Sequence, residues 1–227
     1  LLLAITIILL WIILSSISLI IFLIVASFHF GKEDTQFLIT ENSYFYQFLF
    51  FLKGSLVILT PMYFHFDETV SIFKLLLADK ENFYKSLNFI ETNKILLFSI
   101  ILSTLSSVLL FAKKFKFKKF IIFFDYFSIL ILNYYFSPLI AFTFYFCFLH
   151  SIRHSITLMS ELDKNVIGNG FKKFIKKAIP LTVLTAVFCL IALYLLNNAY
   201  DFNSSILKII FIGLASLTFP HILLEYL

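Results

Sequence analysis

The chain has 227 residues, of which 61% are hydrophobic and only 14% charged, with 5 Gly, 4 Pro and a mean hydropathy of +0.98. Soluble domains carry roughly 45–50% apolar and about 25% charged residues, so an ordinary soluble fold is excluded. A bilayer-crossing helix takes about 20 residues, which leaves room for seven spans with short loops. The expectation is a single all-α polytopic integral membrane domain over 1–227, with about seven helices.

No charge precedes Lys32, and the apolar run from Leu1 to Phe28 has no basic segment before it. A signal peptide has an apolar core of ~7–15 residues, so this longer run is read as a retained span. The first residue is Leu, and the numbering is expected to begin after the true start. Apolar runs then predict spans near 8–31, 54–76, 94–112, 119–136, 138–160, 179–198 and 205–226. Ser137-Pro138 joins two runs with hardly any loop, and proline suits the first turn of a helix, so a tight hairpin is expected there. The stretch 44–52 is rich in Phe and Tyr and is read as interfacial.

The formal charge of +5 is set mostly by lysine. Lys113, Lys114, Lys116, Lys118 and Lys119 form one cluster, and Lys164, Lys172, Lys173, Lys176 and Lys177 another. Both lie between apolar runs, which reads as cytoplasmic loops under the positive-inside rule and not as a nucleic-acid surface. Loops 32–53, 113–118 and 161–178 fall on that side, so the C-terminus is expected in the cytoplasm and the N-terminus outside, in a bacterial-type inner membrane. Cys147 and Cys189 lie within apolar runs and are not expected to form a disulfide.

All five histidines, His29, His65, His150, His154 and His221, sit in or at the end of apolar runs. Ionisable groups at membrane depth are rare and usually functional. His150 and His154 are four apart in a helical segment, so both rings project from one face, as two ligands of one metal must. Core histidines with satisfied hydrogen bonds, or haem ligands, share that spacing. Imidazole is a neutral ligand for Fe, Zn, Cu or Ni, and each ligating ring needs a partner for its second nitrogen. Asp34, Asp67 and Glu225 are close in sequence to His29, His65 and His221. Asp125 is the only charge between Lys119 and Arg153, so it is expected to face the interior; Arg153, the only arginine, could pair with it or snorkel to the surface. A second span over 44–64 would put His65 on the outer face, away from His29. A span over 54–76 puts it mid-membrane, and convergence on one metal favours 54–76.

His29-Phe30-Gly31-Lys32-Glu33-Asp34, Pro61-Met62-Tyr63-Phe64-His65, His150-Ser151-Ile152-Arg153-His154 and Pro220-His221 resemble, in order, the HFGxxD, PxxFH, HSxRH and PH motifs of the Brp/Blh membrane β-carotene 15,15′-dioxygenases. The resemblance implies helices around a buried metal site, an Fe(2+) cofactor, and cleavage of the central 15,15′ double bond of β-carotene by O2 to two all-trans-retinal. By motif it carries His29, His65, His150 and His154 over as catalytic iron ligands. His221 becomes a further ligand or a cavity-lining residue, and Asp34 a supporting residue beside the ligands, a role that Asp125 and Arg153 could share. Tyr63 and Tyr145 are tunnel-wall candidates. The partners implied are the carotenoid, O2 and membrane lipid, with a microbial rhodopsin as a recipient of the retinal. A haem-binding membrane protein and a seven-helix transporter without dioxygenase activity are the rival readings. A retinal-binding rhodopsin would need a lysine deep in the last span, where only Lys208, near its start, is available.

Overall fold

The computed structural model of the protein describes residues 2–39, 43–76, 81–113, 116–163 and 166–226, and their regular structure is helical throughout. Lys114 and Lys164, members of the two lysine clusters, lie outside the described residues. In order the helices are α1 (Leu2–Ile13), α2 (Ser15–Glu33), α3 (Tyr44–Phe64), α4 (Phe66–Leu76), α5 (Glu81–Thr92), α6 (Ile95–Ala112), α7 (Phe120–Tyr135), α8 (Pro138–Phe144), α9 (Ile152–Leu162), α10 (Ile167–Leu196) and α11 (Phe202–Tyr226). A π-helical segment, Tyr145–Ser151, joins α8 to α9.

Six stretches are long and apolar enough to cross a membrane: Ser15–Glu33, Tyr44–Phe64, Ile95–Ala112, Pro138–Leu162, Gly168–Leu196 and Phe202–Ile222. The seventh expected span, 119–136, corresponds to α7, whose 16 residues fall short of the ~20 that a bilayer asks. Pro138 does open α8, at its first helical turn, two residues after Phe136 closes α7.

The expected second span over 54–76 is corrected. Ser43 accepts a hydrogen bond from the Tyr46 amide through its side chain, which starts α3 at Tyr44. The helix ends at Phe64, one turn after Pro61. His65 leaves the helical region at φ −138° and ψ 57°. A break at this depth frees carbonyls, and the Thr69 hydroxyl reaches those of Pro61 at 3.0 Å and His65 at 2.8 Å. The aromatic stretch 44–52 is thus the first half of a spanning helix, with Tyr46, Leu49 and Phe50 buried.

Helices α2 and α3 run antiparallel in backbone contact. A Cβ at Gly31 would overlap the Phe50 carbonyl, and one at Gly54 the Ser27 carbonyl. Without a hydrophobic force between helices in lipid, such small-residue approaches supply the packing. Against α3 lies α6, joined by the Ser55 and Ser103 hydroxyls at 3.1 Å, and α7 joins α6 through Thr104 and Tyr126 at 2.9 Å. By contrast, none of the apolar length of α10 is buried.

Candidate metal centre

The Gly31–Gly54 crossing fixes which side chains meet. It places the end of α2, with His29, Glu33 and Asp34, against the first half of α3, from which Lys53 points inward. Lys53 is 3% exposed and Asp34 2%. The opposite wall is the π-helical segment and α9. A π turn brings residues five apart onto one face, and Tyr145 and His150 are five apart, with their rings stacked 6.2 Å between centroids. Both reach Asp34: the Tyr145 hydroxyl donates to Oδ2 at 2.7 Å and His150 Nδ1 lies 3.2 Å from Oδ1. One turn further, His154 Nδ1 lies 2.8 Å from Glu33 Oε2.

Carboxylates only accept, so these contacts place the proton of each neutral ring on Nδ1 and the lone pair on Nε2. That is the carboxylate–histidine arrangement that orients metal ligands. Four rings then gather. Centroid separations are 5.4 Å for His29–His150, 5.7 Å for His29–His221, 5.3 Å for His154–His221 and 6.5 Å for His150–His154. Imidazoles that share one ion at about 2.1 Å have centroids roughly 4.5–6.5 Å apart, so the spacing fits. The His29 Nδ1 is buried without a hydrogen-bond partner, as an atom at a ligand site would be. Among the described residues no three His, Cys, Asp or Glu side chains already stand within joint ligand distance. Binding an ion would therefore require small ring rotations.

A charge-balanced cluster backs the histidines. Arg153 grips Asp125 with two hydrogen bonds of 2.9 and 2.7 Å, and its NH1 lies 3.2 Å from Asp34 Oδ1. Lys53 Nζ lies between Asp34, at 3.9 Å, and Asp125, at 3.8 Å. Burial alone would raise the carboxyl of Asp34, but the His150 hydrogen bond and the Lys53 and Arg153 charges outweigh it and hold it well below the usual carboxylate range. Of the two expectations for Arg153, pairing with Asp125 is the one seen, and Asp125 is buried as expected.

His65 is not brought to the other four. With Ser27 opposite Gly54 and Gly31 opposite Phe50, His29 is level with Leu52. His65 is 13 residues further along α3, which is about 20 Å of helical rise. Its Nε2 lies 2.8 Å from the Asn133 carbonyl of α7. The reason is the register: a spanning α3 that begins at Tyr44 carries its last turn to the opposite side of the bilayer. Asp67, expected beside it, is exposed. The side chain of Glu225 lies outside the described residues.

The neighbouring cavity is apolar. It encloses about 600 Å³ of non-atom space, its open mouth included, between α2, α3, α4, α8 and α11. Neither Tyr63 nor Tyr145 lines it: Tyr63 is exposed against Phe64, and the Tyr145 hydroxyl is taken up by Asp34. Sequence reasoning also missed Glu33 and Lys53. Glu33 sits four residues after His29, on the same helical face, and Lys53 is the only formal charge between Glu41 and Asp67. The argument that selected Asp125 applies equally to Lys53.

Fold and site together define a polytopic membrane protein whose buried histidines are held by carboxylates from a facing helix. The beta-carotene 15,15'-dioxygenase family model matches residues 1–227, and the chain belongs to that enzyme family. It is 27% identical over 224 residues to the beta-carotene 15,15'-dioxygenase of the uncultured marine bacterium 66A03, covering 99% of this chain and 76% of that protein. No solved structure matches the chain.

Proposed function

We propose that the chain cleaves the central double bond of β-carotene with O2 to two all-trans-retinal, at an Fe(II) ion held by His29, His150, His154 and His221. The observation that carries this reading is the gathering of four imidazoles, two of them held by carboxylates, beside an apolar cavity. His65, which the motif order alone would include, stands outside this ligand set. In the reaction the C15–C15′ double bond and the O–O bond break and two carbonyl bonds form. All four electrons taken up by O2 come from the two carbons, so no further reductant is needed.

A bound Fe(II) would supply the means of activating triplet O2 beside the polyene. The protein's own part follows from its residues. Asp34 and Glu33 keep the protons of His150 and His154 on Nδ1 and aim their Nε2 lone pairs. An all-imidazole shell adds no negative charge, and the neighbouring carboxylates are balanced by Lys53 and Arg153. Phe30 packs edge-on against His150 at 4.9 Å, and Phe146 stacks between His150 and Phe142 at 5.7 and 5.6 Å. These rings give the polyene aromatic surface and exclude water. The uncharged substrate resides in the bilayer and reaches the cavity laterally from lipid.

The test is pigment analysis of β-carotene-producing bacteria that express the chain, with iron determined on the purified protein. Retinal as the sole product, with about one iron per chain, is expected. Intact carotene with iron-free, folded protein would overturn the reading.

A further inference from the structure

The apolar cavity has a definite length. Its inner end is formed by Phe30 and Phe142 and its outer end by Phe22, Pro61, Ile72 and Leu139. The inner end touches the histidines through the Phe30–His150 contact and the Phe142–Phe146–His150 stack. Two helices measure its depth. From Leu139 to His150 is eleven residues, about 16 Å of helical rise, and from Phe22 to His29 is seven residues, about 10 Å. A β-carotene molecule is about as long as the ~30 Å hydrocarbon core, so half of it is about 15 Å. The lining is apolar apart from Thr69, whose hydroxyl already donates to the Pro61 and His65 carbonyls. No free polar group competes for the occupant.

The outer end is also the stiffest part of the wall. Pro61 ends α3, the Thr69 hydroxyl ties the start of α4 back across the break, and Pro138 opens α8. These elements bring three helix ends together where an ionone ring would stop. We infer that this cleft is a half-substrate gauge: one ring of the carotenoid seats against Pro61, Ile72 and Leu139, and the resulting depth sets the central double bond over the histidines. The inference rests on the dioxygenase reading and adds to it the cause of central, not eccentric, cleavage. A ring that stops short slides the polyene outward and presents the next double bond. O2 then gives two unequal carbonyl fragments, with the same bonds broken and formed.

The test shortens the cleft in the full-length, iron-loaded protein with Ile72→Phe and, separately, Leu139→Phe, and uses Ile131→Phe, on the exposed face of α7, as a volume control. Products from β-carotene are separated by chromatography and iron is measured on each variant. The gauge predicts that the retinal share falls at least several-fold in both cleft variants, replaced by unequal apocarotenoid fragments, with iron unchanged and the control like wild type. Retinal as the sole product at the wild-type rate in both would overturn it, and so would joint loss of iron and product. If the wild-type protein makes no retinal, the dioxygenase reading fails instead, whatever the variants do.

Discussion

His150 and His65 both lie in apolar surroundings, both belong to a short histidine-bearing motif, and both have one ring nitrogen satisfied. The difference is the partner. His150 Nδ1 meets a carboxylate that is itself held by Lys53, Arg153 and Tyr145. His65 Nε2 meets a single backbone carbonyl. A carboxylate raises ring basicity and fixes the lone pair toward a metal, whereas a carbonyl contact ties down a helix break. The surroundings of each ring, not its motif, divide the five histidines into a centre of four and one that pins α3 to α7.

The largest effect that tests this division is loss of a centre histidine. His150→Ala removes a proposed ligand and leaves Asp34 without its ring partner. Retinal formation is expected to fall below detection and iron content to drop with it, while membrane insertion is retained. Unchanged retinal yield would remove His150 from the centre.

Next in size is Asp34→Asn. The amide keeps the shape but cannot match the carboxylate as an acceptor for His150 and Tyr145, and it leaves Lys53 and Arg153 with one carboxylate fewer. Loss of such a partner beside a metal ligand typically costs 10–100-fold in affinity or activity. A drop of about that size is expected, with iron affinity measured by competition against a chelator. An effect under about threefold would mean that Asp34 does not act through His150.

How far the sequence reveals this site depends on what kind of signal each residue leaves. The apolar runs, the Ser137-Pro138 hairpin and the isolation of Asp125 and Arg153 are all visible, because a buried charge in a run of Phe, Ile and Leu stands out. The α3 register is not. The charge on Lys53 resembles a loop signal, and a boundary drawn there moves His65 into mid-membrane. What places Lys53 inside is the Gly31–Gly54 approach, together with the pairing of two carboxylates that lie 91 residues apart in sequence, and neither follows from local pattern. The same non-local pairing explains Tyr145. Helical periodicity assigns it to a wall, but the π turn rotates it onto Asp34.

A smaller effect is expected from Lys53→Met. The variant keeps the length of the side chain but leaves Asp34 and Asp125 to share Arg153. Removing one partner of a buried ion cluster costs about 3–5 kcal/mol, and the 3.8 and 3.9 Å separations of Lys53 point to the lower end. The expected outcome is a lower thermal inactivation temperature, with retinal yield reduced several-fold and recovered in Lys53→Arg. Wild-type stability in Lys53→Met would show that Arg153 alone balances both carboxylates.

The smallest effect should come from His65→Ala, and it is the one that bears most directly on the contrast with His150. A carbonyl only accepts, so Nε2 of His65 carries the proton and donates to Asn133. Removing the ring costs about one hydrogen bond, roughly 1 kcal/mol, at a helix end that the Thr69 hydroxyl continues to tie through Pro61. Iron content should therefore match wild type, and retinal yield should stay within about threefold, since a loss of 1 kcal/mol shifts an equilibrium by about fivefold at most. Loss of iron on His65→Ala, with His150 and His154 intact, would return His65 to the ligand set. The α2–α3 register would then have to slide by roughly 20 Å, against the backbone contact at Gly31 and Gly54.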